Sequence, residues 1–400
     1  MLDTRDQRAG AAGVKAARRS PGPGGSGERD SPLTTRAPCH PQPGRQTATS
    51  LEEFLHTTRF DPNDPAALGN MLRTLVDCGY DRAPSLPLPA HGQTLERWRA
   101  LAAVAACDLG LVKLFEGHTD ALAILAELRG PTPPAASRWA VWAAEPPDAR
   151  VEAVNTAKVG IRSDEGQVRL TGTKAWCSGA GSVSHALVTA WLDEAPVLVA
   201  VAMDQASIAI DTSKWQAVGM QATASADVCF DGTQATLVGA PHAYVRRPGF
   251  WHGGAGIAAC WYGAAAQIGR TLRDASAQRA DPHRLAHLGA VEVALQAAAA
   301  VLRETAAHID AHPLADAQRE AMRARLVVEE AATAVMHHAT RTLGAGPLCR
   351  NARFARALAD LPVFLRQSHA ERDLAALGEL VASACRNDAP MHAGDASWTL

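Results

Sequence analysis

Lysine is nearly missing from this chain: of 39 basic residues only Lys15, Lys113, Lys158, Lys174 and Lys214 are lysine. With abundant alanine, that reads as the codon bias of a GC-rich genome and carries no mechanism. An excess of either charge is missing too, because 41 acidic residues bring the formal net charge to −2. No global field gathers nucleic acid or an anionic membrane. The eight cysteines (39, 78, 107, 177, 229, 260, 349 and 385) form no CxxC pair and have no zinc-type spacing, so they are expected to be reduced thiols of a cytoplasmic protein. No uninterrupted apolar run reaches the ~18 residues of a membrane span. The start, MLDTRDQRAG, lacks the apolar stretch of a secretory signal. No membrane span is expected.

What is present is a 400-residue chain with 47% hydrophobic side chains, long enough for two or three domains around a sizeable core. Residues 1–50 are rich in Gly, Pro and Arg and poor in large apolar groups, so burial cannot repay the entropy of ordering them. They are expected to be a disordered leader. Over 51–136 apolar residues recur at helical spacing, as in Leu68, Met71, Leu72 and Leu75, which predicts an α-helical first domain.

Over 137–247 the period shortens to two and β-rich runs stand between turn signals: GQVRLTG, HALVTAW, APVLVAVAM, ASIAIDT, ADVCFDG and ATLVG. This is the expected β-domain, with Asp164, Glu165 and Gly166 closing a hairpin. From 248 to 388 the chain turns helical again, with helices expected at 253–280, 285–312, 314–343, 351–360 and 369–386, then a tail at 389–400. Leu285, Leu288, Val291 and Leu295 mark a buried stripe. The class is α+β: helices, then sheet, then a four-helix bundle.

The segment from Leu170 to Ala180, LTGTKAWCSGA, resembles the flavin-contact strand of the acyl-CoA dehydrogenase superfamily, which carries Gly-x-Lys-x-Trp-Ile-(Thr/Ser). Gly172, Lys174, Trp176 and Ser178 match, and Cys177 replaces the isoleucine. AAEPPDA (143–149) is similar to that family's Thr-Glu-Pro segment with the threonine lost. The run from Lys214 to Thr223, KWQAVGMQAT, is similar to its Lys-x-x-Gly-Met/Ile-Arg-x-(Ser/Thr) run. The resemblance covers about residues 51–386, through the order and spacing of motifs rather than any single one.

The resemblance implies FAD between the β-domain and the bundle, with Trp176 against the ring, Cys177 beside it and Ser178 at the N5/O4 edge. Read alone, Trp176 is a core strand tryptophan and Lys174 a solvated strand-end lysine. The resemblance further implies that Arg341 and Gly344, where the family has Gln-x-x-Gly-Gly-x-Gly, meet the adenosine half across a subunit boundary. Arg279 reaches the same phosphates, or else is a surface helix-end arginine. A homodimer or homotetramer acting on an acyl thioester follows, with α,β-dehydrogenation and hydride passing to the flavin.

The family's catalytic glutamate has no counterpart, because its position carries Arg366, which is permanently protonated and cannot be a base. The alternative site on the first bundle helix, near Gly256 and Ile257, carries no carboxylate either. Ser368 and Glu371 have the Ser-x-x-Glu form of a capping box, making Ser368 the expected N-cap and Glu371 a structural partner or a substitute acid; the resemblance also implies Ser368 as a cofactor-binding residue. His369, expected in the first helical turn, is the other candidate base. Related flavin monooxygenases of this fold also use a histidine near this place. Two alternatives to dehydrogenation therefore stay open: oxygen chemistry on the same fold, and a catalytically silent flavin-binding or scaffold protein. The neighbours His337 and His338 face different directions on a helix and make a poor metal pair.

Overall fold

The computed structural model describes residues 49–156 and 166–387. The expected leader up to residue 48, the hairpin residues Asp164 and Glu165, and the tail lie outside the described residues. The chain begins with helices α1 (Leu51–Thr57), α2 (Pro65–Asp77), α3 (Thr94–Cys107) and α4 (Leu109–Glu127). Their starts are written locally. Ser50, Asp64 and Asp108 each accept a hydrogen bond from a first-turn N–H of the helix that follows, satisfying donors that would otherwise be orphaned.

Seven strands follow: β1 (Trp139–Trp142), β2 (Val151–Asn155), β3 (Gln167–Cys177), β4 (His185–Leu192), β5 (Ala195–Ala202), β6 (Ile208–Asp211) and β7 (Ala226–Leu237). The order is β1-β4-β2-β3-β7-β5, and β4 also pairs with β5, so the pairings close into a ring, with β6 joined to β7. The two runs ADVCFDG and ATLVG form one strand instead of two. Gly232, at φ +68°, is absorbed as a bulge where the β3–β7 register shifts between Leu170 and Thr171.

The remaining helices are α5 (Ala243–Arg246), α6 (Gly249–Gln278), α7 (Pro282–Ala311), α8 (Gln318–Leu343), α9 (Ala345–Arg350), α10 (Ala352–Leu365) and α11 (Glu371–Asn387). α6 has no side-chain cap of its own. Its first N–H, of Gly249, donates instead to Glu127 at the end of α4, at 2.9 Å. Gly263 lets α6 press on α3 so closely that a Cβ there would overlap the carbonyl oxygen of Ala102.

The stripe expected on α7 is only partly buried. Val291 is in the core, Leu288 and Leu295 are half-buried, and Leu285 is exposed together with Val293, which is 71% exposed. The buried side of α7 is carried instead by Ala298, Leu302, Ala306 and Ile309. By length and composition α7 is also apolar enough to cross a bilayer, the one such helix among the described residues. Cys107, Cys177, Cys229, Cys260 and Cys349 form no disulfide among the described residues.

Gly263→Ala is expected to lower stability by about 1–3 kcal/mol, because overpacking must push α3 and α6 apart. Gly289→Ala, on α7 with nothing near its notional Cβ, is expected to gain up to about 1 kcal/mol of helix propensity. Urea unfolding of the two variants reads the difference.

Candidate functional site

Strand β3 is disturbed at its end. Lys174 pairs with Val228 and Cys177 with Ala226, so Ala175 and Trp176 together face the single residue Asp227. A bulge of this kind re-aims a side chain. Trp176 takes φ +58°, a left-handed conformation that costs a bulky residue of order 1–3 kcal/mol. Its indole turns outward and is 60% exposed. Trp176 is therefore not a core strand tryptophan.

The next residue points the other way. Cys177 is fully buried, its thiol donates to the carbonyl oxygen of Lys174 at 3.2 Å, and burial pushes its pKa well up. Its side chain packs in the sheet and cannot reach a ligand beside Trp176. Ser178 follows with its hydroxyl 2.8 Å from that of Ser225, which lies 3.0 Å from that of Thr223, which donates to the carbonyl oxygen of Met220 at 2.7 Å.

Trp176 forms one wall of a cleft of about 230 Å³. The other walls are the loop at 146–149, Lys214 and Trp215, and Ser225 with the first residues of β7. The indole N–H of Trp215 is buried and finds no acceptor among the described residues. Lys214 is tied to Asp227 at 2.6 Å, a hydrogen bond that raises its pKa. Trp215 and Ser225 were not singled out from the sequence. Trp215 stands inside the KWQAVGMQAT run and Ser225 two residues beyond it, and that position is the available signal.

Lys174 is not solvated. It is fully buried, with Nζ 3.0 Å from Glu145 Oε1 and 2.8 Å from Thr189 Oγ1. Glu145 also accepts from the Trp191 indole at 3.0 Å. Burial raises the Glu145 pKa, but Lys174, Trp191 and Thr189 outweigh it and hold it below the usual carboxylate value. Burial also lowers the Lys174 pKa, against the pull of Glu145. The pair thus favours the carboxylate more than the ammonium, and what it secures is geometry: it ties β3, two residues before Trp176, to the loop that forms the opposite wall.

The second group of candidates lies after α10. Arg366 pairs with Glu329 of α8. Arg325 holds the carbonyl oxygens of Gly254 and Gln367 at 2.9 and 2.7 Å, with its guanidinium 4.9 Å from the Trp261 ring centre. The capping box takes a different form from the expected one. α11 begins at Glu371, Ala370 sits at φ +49°, and Asp373 rather than Glu371 accepts from the His369 N–H at 3.0 Å. Ser368 is buried and accepts from the Ala370 N–H at 3.2 Å. His369 therefore precedes the helix instead of standing in its first turn. Its ring is 64% exposed, with Nδ1 3.4 Å from Asp373.

The two groups are joined through α10. The carboxylate of Asp360 accepts from the Met220 N–H at 2.5 Å, and a Cβ at Gly219 would overlap the carbonyl oxygen of Ala359. Arg279 ends α6, where its carbonyl oxygen accepts from Arg284 at 2.7 Å. Arg341 lies in the last turn of α8, and Gly344 turns the chain at φ +64°. His287 of α7 meets His338 of α8 at 2.8 Å, so the start of α7 lies beside the end of α8. Arg279 and Arg341 thus stand at one end of the bundle, apart from the Trp176 cleft.

Comparison with solved structures shows that the architecture is a known fold. The dibenzothiophene monooxygenase TdsC from Paenibacillus sp. A11-2 superposes with a TM-score of 0.65 at 18% identity, over 84% of this chain and 93% of that one. The fold is acyl-CoA dehydrogenase-like. The methanesulfinate monooxygenase MsuC from Pseudomonas fluorescens gives 0.63 at 16% identity, over 82% and 98%. A steroid ACAD variant gives 0.61 at 18% identity, over 85% and 94%. TdsC has also been solved with FMN bound. No family model and no curated protein matches the chain.

Lys174→Met should cost about 3 kcal/mol, the low end for breaking a buried pair, because Glu145 keeps 30% exposure and two other donors. Glu145→Gln leaves Lys174 buried without its counter-charge and should cost more. Urea unfolding orders the two. Equal, near-zero losses would show that the pair does not hold the cleft walls.

Proposed function

We propose that this protein is a flavin-dependent oxidoreductase whose isoalloxazine ring lies in the Trp176 cleft. The observation that carries the reading is an outward-facing indole, held in a strained conformation beside a buried indole N–H that has no acceptor. A planar heteroaromatic ring with carbonyl oxygens at its edge fits both: Trp176 offers a stacking face and the Trp215 N–H a donor. When bound, the flavin would supply the two-electron acceptor. The chain's own work is to stack the ring on Trp176, donate to its edge from Trp215, face its hydride-accepting edge with Ser178 and exclude water.

The finer choices follow from residues. FAD, rather than FMN, is the form that would use Arg279 and Arg341, reaching its diphosphate from a second copy of the chain. Dehydrogenation of an acyl thioester needs a proton acceptor where Arg366 stands, engaged with Glu329. That engagement favours the second reading, oxygenation of a small substrate as named for TdsC and MsuC. His369, oriented by Asp373, would then carry the proton, with Glu371 exposed at the helix start as the lesser candidate. A protein that binds no flavin would leave the scaffold reading.

Titration with FMN and with FAD should quench tryptophan fluorescence. Stacking on an aromatic face is worth about 1–3 kcal/mol, so Trp176→Ala should weaken binding by roughly tenfold or more. Flavin-free protein with no quenching would overturn the reading. Bleaching of bound flavin by acyl-CoA without oxygen would restore dehydrogenation, whereas oxygen uptake with reduced flavin supports oxygenation.

The exposed side of α7, with Leu285 and Val293, is the surface proposed to pair copies into a homodimer or homotetramer. Light scattering should show an oligomer that Val293→Arg reduces to a smaller species. A monomeric wild type would contradict it.

A further inference from the structure

Two buried carboxylates share one cation where α10 meets the corner between α3 and α4. Asp108 ends α3 and caps α4. Its side chain is only 8% exposed, with Oδ1 accepting from the Leu111 N–H at 2.9 Å and Oδ2 3.8 Å from Nη1 of Arg356. Asp360 stands one turn after Arg356 on α10, so the two share a helix face. It is buried as well, and its carboxylate holds the Met220 N–H. Burial raises the pKa of both acids, the charge of Arg356 pulls both down, and the charge of Asp360 adds to the rise at Asp108. The other ionisable groups at the corner are Cys107, kept neutral by burial, and the exposed Arg353 and Arg59, which donate to the carbonyl oxygens of Ala106 and His56. α2 presents the Leu68 side chain there, against Gly110. Fully ionised, two carboxylates and one guanidinium leave a net charge of −1 in a buried place, and a single proton makes the cluster neutral. Asp360 is the poorer home for that proton, because its bond to Met220 is short and favours the carboxylate. Asp108 takes it, and burial pushes its pKa from the ordinary 3.8 up to about 6.

α10 is what holds the segment carrying Trp215 in place. Gly219 lies so close to Ala359 that a Cβ would overlap its carbonyl oxygen, and Met220, bonded to Asp360, sits at φ +58°. A methionine keeps such a conformation only while its surroundings enforce it. We propose that Asp108, Arg356 and Asp360 form a proton-operated clamp on the Trp215 wall of the cleft. With the proton on Asp108, Arg356 is left to Asp360, the cluster is neutral and α10 keeps its grip on Met220. When the proton leaves, two carboxylates compete for one guanidinium, the excess charge pushes α10 away from the α3–α4 corner, and the strained segment relaxes. The clamp therefore tightens as the pH falls through about 6 and loosens above it. The same sign holds for folding. The folded chain keeps a proton that the unfolded chain releases near pH 3.8, so this contribution to stability is full below that pH and is lost as the pH rises through about 6.

The test compares wild type with Asp108→Asn, which keeps the cap on α4 and fixes the residue in a neutral form. Urea midpoints of the two should nearly coincide at pH 4, and at pH 7.5 the variant should have the higher midpoint. Hydrogen exchange of the 214–223 peptide, corrected for the intrinsic effect of pH, should be roughly three- to tenfold faster in wild type at pH 7.5 than at pH 5, and slow in the variant at both. Arg356→Gln takes the cation from both acids and should move the wild-type exchange transition to higher pH. FMN affinity gives a third readout, which rests on the flavin reading above: between pH 5 and 7.5 it should weaken roughly three- to tenfold more in wild type than in Asp108→Asn.

Exchange of the 214–223 peptide with the same pH dependence in wild type and Asp108→Asn overturns the clamp. An Asp108→Asn midpoint below that of wild type at pH 7.5 overturns the excess charge on which the clamp depends. Failure to bind FMN at any pH overturns the flavin reading alone, because the exchange and unfolding measurements use no ligand.

Discussion

Two residues of β3 facing one residue of β7 set most of what matters near the cleft. The extra residue breaks the alternation of sides, so Trp176 turns out, Cys177 stays in the sheet, and Ser178 meets Ser225 across the strand pair. A strand of regular register would have shared these three side chains between core and solvent in a different order. The strain at Trp176 persists because its surroundings over-determine it. Lys174 anchors the strand just before the bulge, and the Trp142 indole donates to the Ser178 carbonyl oxygen just after it, at 3.2 Å.

The cleft is built from pieces that are remote in sequence, and polar contacts register them over an apolar core that Cys177, Met220, Ala226 and Leu361 share. Glu145 and Lys174 are 29 residues apart. Met220 and Asp360 are 140 apart, and their bond carries the wall loop onto the bundle. Through that second link, α10 and the 366–369 segment behind it are registered against the β-domain. Arg325 repeats the device on the other side by clasping α6 and the end of α10 together. Buried charges placed this way contribute little net stability, but they define which backbones lie side by side.

The helix-sheet-helix order was legible from periodicity alone, because a switch from period 3.6 to period 2 and back needs no partner to be seen. The Trp176–Ser178 run was legible as a motif, but its meaning was not. Residue alternation cannot show a bulge, and counting by twos from the buried Lys174 puts Trp176 inside and Cys177 outside, the reverse of what the bulge produces. Lys174 was misread because its partner lies on a loop that has no periodic signal. The last helix was misplaced for a local reason: Glu371 has the capping-box spacing from Ser368, yet Asp373 reaches the His369 N–H once Ala370 turns left-handed. On α7 the apolar residues run nearly all round the helix, so no pattern could say which side packs inward.

The cap that α6 borrows from Glu127 bears on how the chain becomes folded. The donor and acceptor are 122 residues apart, with the whole β-domain between them. The first long bundle helix, α6, therefore cannot secure its first turn until α4 has docked, and α4 gives up that acceptor if the bundle opens. The N-terminal helices and the bundle are thereby joined in a single cooperative transition. A fragment beginning at α6 would fray from the end where the bundle meets the rest of the protein.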